Sequence, residues 1–319
     1  MNPSIRAFTT DDYEDVLAVS NRSYPDYPDT VDEWRYWDEH RAPKIKFQRY
    51  VAEVDGEVAG LAQYNQAEGM YHPRKFGLDV TVDPDYRRRG IGSRLYDHVM
   101  AELEPHDPIT LMASAREDYV DGVSFLEHRG YHEVMRNWEN RLDLTQFDAE
   151  QWSDRVESVQ GDGIRLSTMA ELQTDPDCLR KLHELDVTIA RDVPAPEPRT
   201  PLDYDLWREK IATNPNLMPE LWFVALDGDK YVAMSNMWAS QASKDELYTG
   251  LTGTLREYRR RGIATALKVA CLKAAHDKGY ALTKTWNETG NEGMLAINEA
   301  LGFVRQPAWI NYSNELKTE

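Results

Sequence analysis

Cysteine is scarce. The 319-residue chain has two, Cys178 and Cys271, too few for a disulfide framework. Cys178 has no His–Cys pattern beside it, and Cys271 follows Leu267 by four residues on a helix-spaced run, so buried packing is its expected role. His128 and His132 have i,i+4 spacing, but Gly130 falls between them where a helix should end, so they read as solvated residues and no metal site is expected. No apolar run is long enough to span a membrane. The opening MNPSIRAFTTDDYEDV lacks the basic-then-apolar plan of a signal peptide, and a cytoplasmic location is expected. Positive charge is also in deficit: 37 Lys and Arg face 55 Asp and Glu, a net charge of −18. That balance argues against nucleic acid as a partner; it suits a cationic or amine substrate through long-range steering, and equally an acidity that only keeps the protein soluble. With 41% hydrophobic and 29% charged residues, the chain reads as a soluble globular protein with room for two domains.

What the chain does have, it has twice. VTVDPDYRRRGIGSRLY covers residues 80–96 and TGTLREYRRRGIATALK covers 252–268. Before the first copy, Phe76, Leu78, Val80 and Val82 alternate with Gly77, Asp79 and Thr81, the period of a strand. After it, Ile91, Leu95, Val99 and Leu103 recur every fourth residue, and Pro105 closes the helix they mark. A helix that opens on small residues presents free backbone N–H groups and the positive end of its dipole, which together bind phosphate. Gly90 and Gly92, like Gly262 and Ala264, would let an anion approach the backbone, with Arg87–Arg89 and Arg259–Arg261 adding fixed charge. A dinucleotide fingerprint would need a third glycine where Leu95 and Leu267 stand, and a P-loop would need Gly-Lys-Ser/Thr. Neither is present.

The repeat extends well beyond the loop. Gly90 and Gly262, Gly130 and Gly302, and Asp55-Gly56 and Asp227-Gly228 are each 172 residues apart (262 − 90, 302 − 130, 227 − 55). Each Asp-Gly lies between apolar runs and predicts a hairpin. Ile5-Arg6 matches Ile164-Arg165 at an offset of 159, so the second copy carries 13 extra residues (172 − 159), placed in the proline-rich RDVPAPEPRTPLDYD. Residues 145–162 read as a polar linker with room for one short helix.

Arg-x-x-Gly-x-Gly/Ala after a strand resembles the coenzyme A pyrophosphate loop of the GNAT acetyltransferase superfamily. The resemblance covers nearly the whole chain, twice. It implies an α/β fold of two tandem GNAT domains, each a mixed, mostly antiparallel sheet with helices on both faces. The expected boundaries are 1–147, a linker at 148–162, and 163–319. Acetyl-CoA would be the cofactor. The resemblance places its pyrophosphate on Arg87, Arg88, Arg89, Gly90, Ile91, Gly92 and Ser93, and on Arg259, Arg260, Arg261, Gly262, Ile263, Ala264 and Thr265. The backbone of Val80 and Val82, and of Thr252 and Thr254, would hold the acetyl carbonyl and pantetheine. In this fold the segment between the first two helices borders the acceptor pocket, so the proline-rich insertion implies a more enclosed substrate site in the second half, with a plain surface excursion as the alternative.

The run TWNETGNEGMLAINEALGF, with Lys268, is similar to the C-terminal half of tandem enzymes of the mycothiol synthase type. It implies roles for Asn287, Asn291 and Asn298 and a catalytic second half. In the first half Tyr119 and Leu126 stand at the positions of Asn291 and Asn298. Neither half has the tyrosine that many family members place four residues before the glycine, so the proton donor stays open. For the base, Tyr248 occupies the position of a familiar glutamate, with Glu246 two residues earlier on the same strand face; Phe76 fills that position in the first half, and Asp79 points to the opposite face. The expected reaction is acetyl transfer to a primary amine of a small molecule or peptide by a monomer or homodimer. A coenzyme A-binding sensor or scaffold without turnover is the alternative.

Overall fold

The structure, a computed structural model, describes residues 3–317. In chain order the elements are β1 (Ser4–Ala7), α1 (Tyr13–Ser23), α2 (Val31–Glu39), β2 (Phe47–Val54), β3 (Glu57–Asn65), β4 (Lys75–Val82), α3 (Ile91–Leu103), β5 (Thr110–Arg116), α4 (Val120–Glu127) and β6 (His132–Asp143). There follow α5 (Ser153–Gly161), β7 (Ile164–Thr168), α6 (Met169–Leu172), α7 (Cys178–Ala190), α8 (Tyr204–Thr213), β8 (Leu217–Asp227), β9 (Lys230–Ala239), β10 (Glu246–Thr254), α9 (Ile263–Asp277), β11 (Leu282–Glu288), α10 (Glu292–Ala300), β12 (Val304–Arg305) and β13 (Trp309–Glu315). No helix among the described residues is long and apolar enough to cross a membrane.

Two compact units result, and they are not the linear halves 1–147 and 163–319. The first takes the chain up to Arg136, Pro196–Thr200 and everything from Trp309 on; the second takes Asn137–Ala195 and Pro201–Ala308. The cause is strand pairing. β13, the last strand, runs antiparallel to β5 from Trp309↔Arg116 to Glu315↔Thr110 and so completes the first unit. Asn137–Asp143 of β6 pairs antiparallel with β11 and completes the second.

In the first unit the strand order is β1-β2-β3-β4-β5-β13, antiparallel except where β4 meets β5. Alternation along β2 explains the helices on both faces. Tyr50, Ala52 and Val54 pack with Leu95, Val99 and Leu103 of α3, while Val51 packs with Val16 and Val19 of α1 on the other face. The second unit repeats the plan, with β10 and β11 as its parallel pair. Trp222, Val224 and Leu226 of β8 face Leu182, Leu185 and Ile189 of α7; Ala225 faces Ile263 and Leu267 of α9.

Three finer expectations are corrected. Asp55 and Gly56, both at positive φ, do form the β2–β3 turn, between Val54 and Glu57. In the second unit the paired residues are Asp227 and Lys230, so the turn is Gly228-Asp229 and the hairpins correspond at 173 residues. The stretch 145–162 is more than linker: α5 lays Val159 into the core formed by Ile263, Ala266 and Leu267. The proline-rich insertion encloses a cavity of the first unit, not of the second half. The Thr200 N–H donates to the Gly69 carbonyl (2.8 Å), and Lys75 is ion-paired with Glu197 (2.8 Å).

Lys268 is almost completely buried, at 2% exposure, with its ammonium 5.1 Å from the Phe303 ring centre and no carboxylate paired to it among the described residues. Burial lowers its pKa from an ordinary 10.5 to about 8. Below pH 8 the lysine is charged in the folded and unfolded chain alike, and its full burial cost is present. Between pH 8 and about 10.5 the unfolded chain holds a proton the folded chain has released, so stability rises with pH across that window. Lys268→Met is therefore expected to stabilise the protein at pH 7, by up to about 3 kcal/mol, with a smaller gain at pH 9.5. Urea unfolding at the two pH values checks this.

Candidate active site

β4 and β5 pair in parallel only from Lys75↔Thr110 to Gly77↔Met112. Beyond Gly77, β4 keeps β3 as a neighbour up to Val82, but no pairing with β5 continues. The backbone of residues 78–82 thus presents a free edge to a cleft of 780 Å³. At its far end a short 3-10 turn, Pro84–Tyr86, leads into the arginine loop. Arg88 (φ 62°) and Gly90 (φ 80°) adopt left-handed conformations, and α3 starts at Ile91. The first helical bond there runs from the Arg94 N–H to the Gly90 carbonyl, so the N–H groups just before it have no intrahelical acceptor. A Cβ at Gly90 would meet nothing within 4 Å, and one at Gly92 would touch the side chains of Val82, Phe125 and Val80 at 3.4–3.9 Å, which leaves the helix start open to a phosphate. Arg87 Nε donates to the Val82 carbonyl (3.1 Å), Arg88 pairs with Asp121 (3.1 Å), and Ser93 Oγ accepts from Arg129 Nη2 (2.8 Å). These residues fit a coenzyme A pyrophosphate.

The second loop has the same backbone, with Arg260 at φ 62° and Gly262 at φ 78°, but its own chain lies on it. A Cβ at Gly262 would stand 3.1 Å from Arg155 Cδ of α5. Asp192 bridges Arg256 (Nε, 3.0 Å) and Arg259, and both guanidinium groups hold its carboxyl far below the usual carboxylate range. Thr252 Oγ1 is engaged with Ser235 Oγ (2.8 Å).

The residues expected to be catalytic in the second half are likewise engaged. Lys284 Nζ donates to Glu246 Oε2 at 2.6 Å, and the Tyr248 ring stacks on Trp286 with centres 5.8 Å apart. Asn298 Nδ2 donates to Asn287 Oδ1 (2.6 Å), and Asn291 caps α10 through the Met294 N–H. The structure brings Asn287 to Asn298 and Glu246 to Lys284.

Sequence reasoning passed over Asp79. It does point away from the Phe76 face of β4, as expected, and that is the side on which a second cavity, of 710 Å³, opens. Tyr24, Leu78, Asp79, Ala113 and Ser114 line both the cleft and this cavity, which makes Asp79 part of the floor where the two join. Its carboxylate is reached by solvent from within the cleft yet ringed by protein, and desolvation raises its pKa against the opposing influence of Arg49 and Thr81. Tyr24 shares the floor, and burial together with the Asp79 charge raises its hydroxyl pKa. The Tyr24 and Tyr119 rings are 5.6 Å apart. One signal was available in the sequence: the repeat sets Leu251 opposite Asp79 (79 + 172), so only the first copy has a carboxylate there.

The family profile described as "Acetyltransferase (GNAT) family" matches residues 6–131 and again 180–303. The chain belongs to the GNAT family. It is 34% identical over 63 residues to [Ribosomal protein bS18]-alanine N-acetyltransferase of Salmonella typhimurium, 19% of this chain and 43% of that protein. It is 30% identical over 96 residues to N-alpha-acetyltransferase 30 of Schizosaccharomyces pombe, 30% of this chain and 64% of that protein. The chain thus spans less than two thirds of the length of either curated relative. Among solved structures, a tandem GNAT protein from the clavulanic acid biosynthesis pathway superposes with a TM-score of 0.79 at 20% identity over the full length of both chains. A GCN5-related N-acetyltransferase from Sphaerobacter thermophilus superposes with a TM-score of 0.74 at 18% identity, covering 99% of this chain and 96% of that one. These likenesses show the fold: two GNAT repeats in tandem.

Proposed function

We propose that this GNAT protein is an acetyl-CoA-dependent N-acetyltransferase acting on a primary amine of a small molecule or peptide, and that transfer takes place in the first unit. The observation that carries the reading is the meeting of an open coenzyme cleft and a second cavity at Asp79. Bound acetyl-CoA supplies a thioester whose carbonyl carbon the amine nitrogen attacks, so that a C–N bond forms, the C–S bond breaks, and the thiolate leaves. The loop from Arg87 to Ser93 holds the pyrophosphate, and the free edge of β4 positions the acyl arm. Asp79 takes the proton that the attacking nitrogen loses, directly or through one water, and the upward shift of its pKa by desolvation makes it a stronger base than an ordinary carboxylate. The departing thiolate takes up its proton from solvent, and the Tyr24 hydroxyl, on the same floor, stays protonated and can donate a hydrogen bond to it.

Placing the reaction in the first unit departs from the expectation of a catalytic second half. Support comes from the second loop, where Asp192 already pairs with Arg256 and Arg259, whose charge an incoming pyrophosphate would otherwise meet, and where Arg155 lies beside Gly262. One coenzyme A per chain is the expected stoichiometry by calorimetry on the full chain. Thiol release from acetyl-CoA with a panel of amines tests the activity. Tight coenzyme binding without thiol release for any amine would favour a sensor, and two equivalent sites per chain would end the assignment to one unit.

A further inference from the structure

The cavity beside Asp79 also carries a reading of the acceptor, one that rests on the proposed function. Its lining carries three cations against four carboxylates, Asp29, Asp38, Asp79 and Glu197. Arg49 and Arg41 both pair with Asp38, Arg49 at 3.0 Å and Arg41 at 3.0 Å, and Lys75 pairs with Glu197 at 2.8 Å. Two carboxylates of the lining are left without an ion pair among the described residues: Asp79 on the floor and Asp29 in the segment between α1 and α2. Asp29 is not a loose surface acid. Trp34 Nε1 donates to its Oδ2 (3.0 Å), its N–H donates to Asn21 Oδ1 (3.0 Å), and Asn21 Nδ2 donates back to its carbonyl (3.0 Å). The capping box of Thr30 and Glu33 starts α2 directly after it, which fixes the segment further. Burial raises the Asp29 pKa, the sign of a carboxylate that has lost water and gained no cation.

We propose that the acceptor is a dibasic amine with two cationic nitrogens on an apolar spacer, one reacting at Asp79 and the other anchored by Asp29. A desolvated carboxylate held in a fixed orientation gains most from a partner that brings the opposite charge. The same lining offers the aromatic surfaces of Tyr24, Tyr27 and Trp309, with Tyr27 and Trp309 5.5 Å apart. Such faces take methylene chains and attract ammonium groups. Tyr27 is held in place, its hydroxyl accepting from Arg116 Nη1 (2.9 Å) and from Trp309 Nε1 (3.2 Å). An amino acid or acidic acceptor would bring a further carboxylate into a lining where carboxylates already outnumber cations by four to three. The net charge of −18 favours the same substrates at longer range.

The test uses the full chain and a graded series: butylamine, putrescine, cadaverine and spermidine, with glutamate as the anionic control. Binding is read by calorimetry with and without coenzyme A, and thiol release is read separately. At least one dibasic amine is expected to bind about tenfold or more tightly than butylamine, with the best spacer length set by the Asp29–Asp79 separation. Asp29→Asn, which keeps an acceptor for Trp34, should remove that advantage and leave butylamine unchanged. Equal affinity for mono- and dibasic amines, tighter binding of glutamate, or a dibasic advantage that survives in Asp29→Asn would overturn the proposal. So would an Asp29→Asn loss shared equally by butylamine, because that is the mark of a structural role. Since binding does not depend on turnover, absent thiol release would count against the proposed activity alone.

Discussion

Asp79→Asn is expected to lower kcat/KM at pH 7 by about 10²-fold or more while leaving coenzyme A affinity unchanged. General base catalysis contributes on the order of 10²–10⁴-fold, and an asparagine of the same shape cannot take a proton. An alkylamine in neutral solution is mostly protonated, so it can attack only after a proton has left it. In the wild type, activity should fall on the acid side as Asp79 becomes protonated, at a pH above the ordinary carboxylate range because desolvation raises its pKa. Arg49, opposing that shift, and Tyr24, on the same floor, are the other titratable or charged groups known to act on it. In Asp79→Asn the acid limb set by Asp79 should vanish, leaving a rate that climbs with pH as the amine deprotonates unaided. The deficit should therefore shrink above pH 9. A variant with a wild-type pH–rate profile would remove Asp79 from the mechanism.

Much of the fold was legible because it rests on local rules. A glycine at positive φ before a helix, arginines in front of it and an alternating strand behind it are all properties of adjacent residues. They identified both loops and the family. The exchange of final strands was not legible, because β6 and β13 obey the same local pattern whichever sheet they join. The hairpin offset misled by one residue for a related reason: Asp-Gly and Gly-Asp both make turns, and only the register Asp227↔Lys230 tells them apart.

The site was harder to read. Asp79 was placed on the correct strand face, but the use of that face depends on α1, α2 and the insertion at Pro196–Thr200, residues far away in sequence. Conversely, Glu246 looked like an available base, and only the structure brings the Lys284 ammonium onto it at 2.6 Å. The better-preserved asparagine pattern of the second half marks a hydrogen-bonded pair, Asn287 with Asn298, and the cap of α10. Family resemblance located the parts, and their neighbours in the tertiary structure come from residues distant in sequence.

Gly90→Val and Gly262→Val form a matched pair, and only the first is expected to abolish coenzyme binding. The two glycines have nearly the same backbone, φ 80° and 78°, each as the residue before a helix. A β-branched side chain in the left-handed region costs about 1–2 kcal/mol or more at either site. The penalty in folding stability should thus be similar, and thermal unfolding of both variants checks that they remain folded. Coenzyme binding separates them. At Gly90 nothing lies within 4 Å of a new Cβ, so the valine occupies the space through which a pyrophosphate would reach the N–H groups at the start of α3. Losing two charge-assisted hydrogen bonds there amounts to about 3 kcal/mol, a weakening of about 10²-fold. At Gly262 the new side chain meets Arg155 Cδ at 3.1 Å, the middle of a flexible side chain that can move aside, and under the proposed assignment to the first unit no coenzyme contact is lost there. Calorimetry with coenzyme A should give wild-type affinity for Gly262→Val and none measurable, or at least a 10²-fold loss, for Gly90→Val. The reverse result would move the coenzyme site, and with it the reaction, to the second unit.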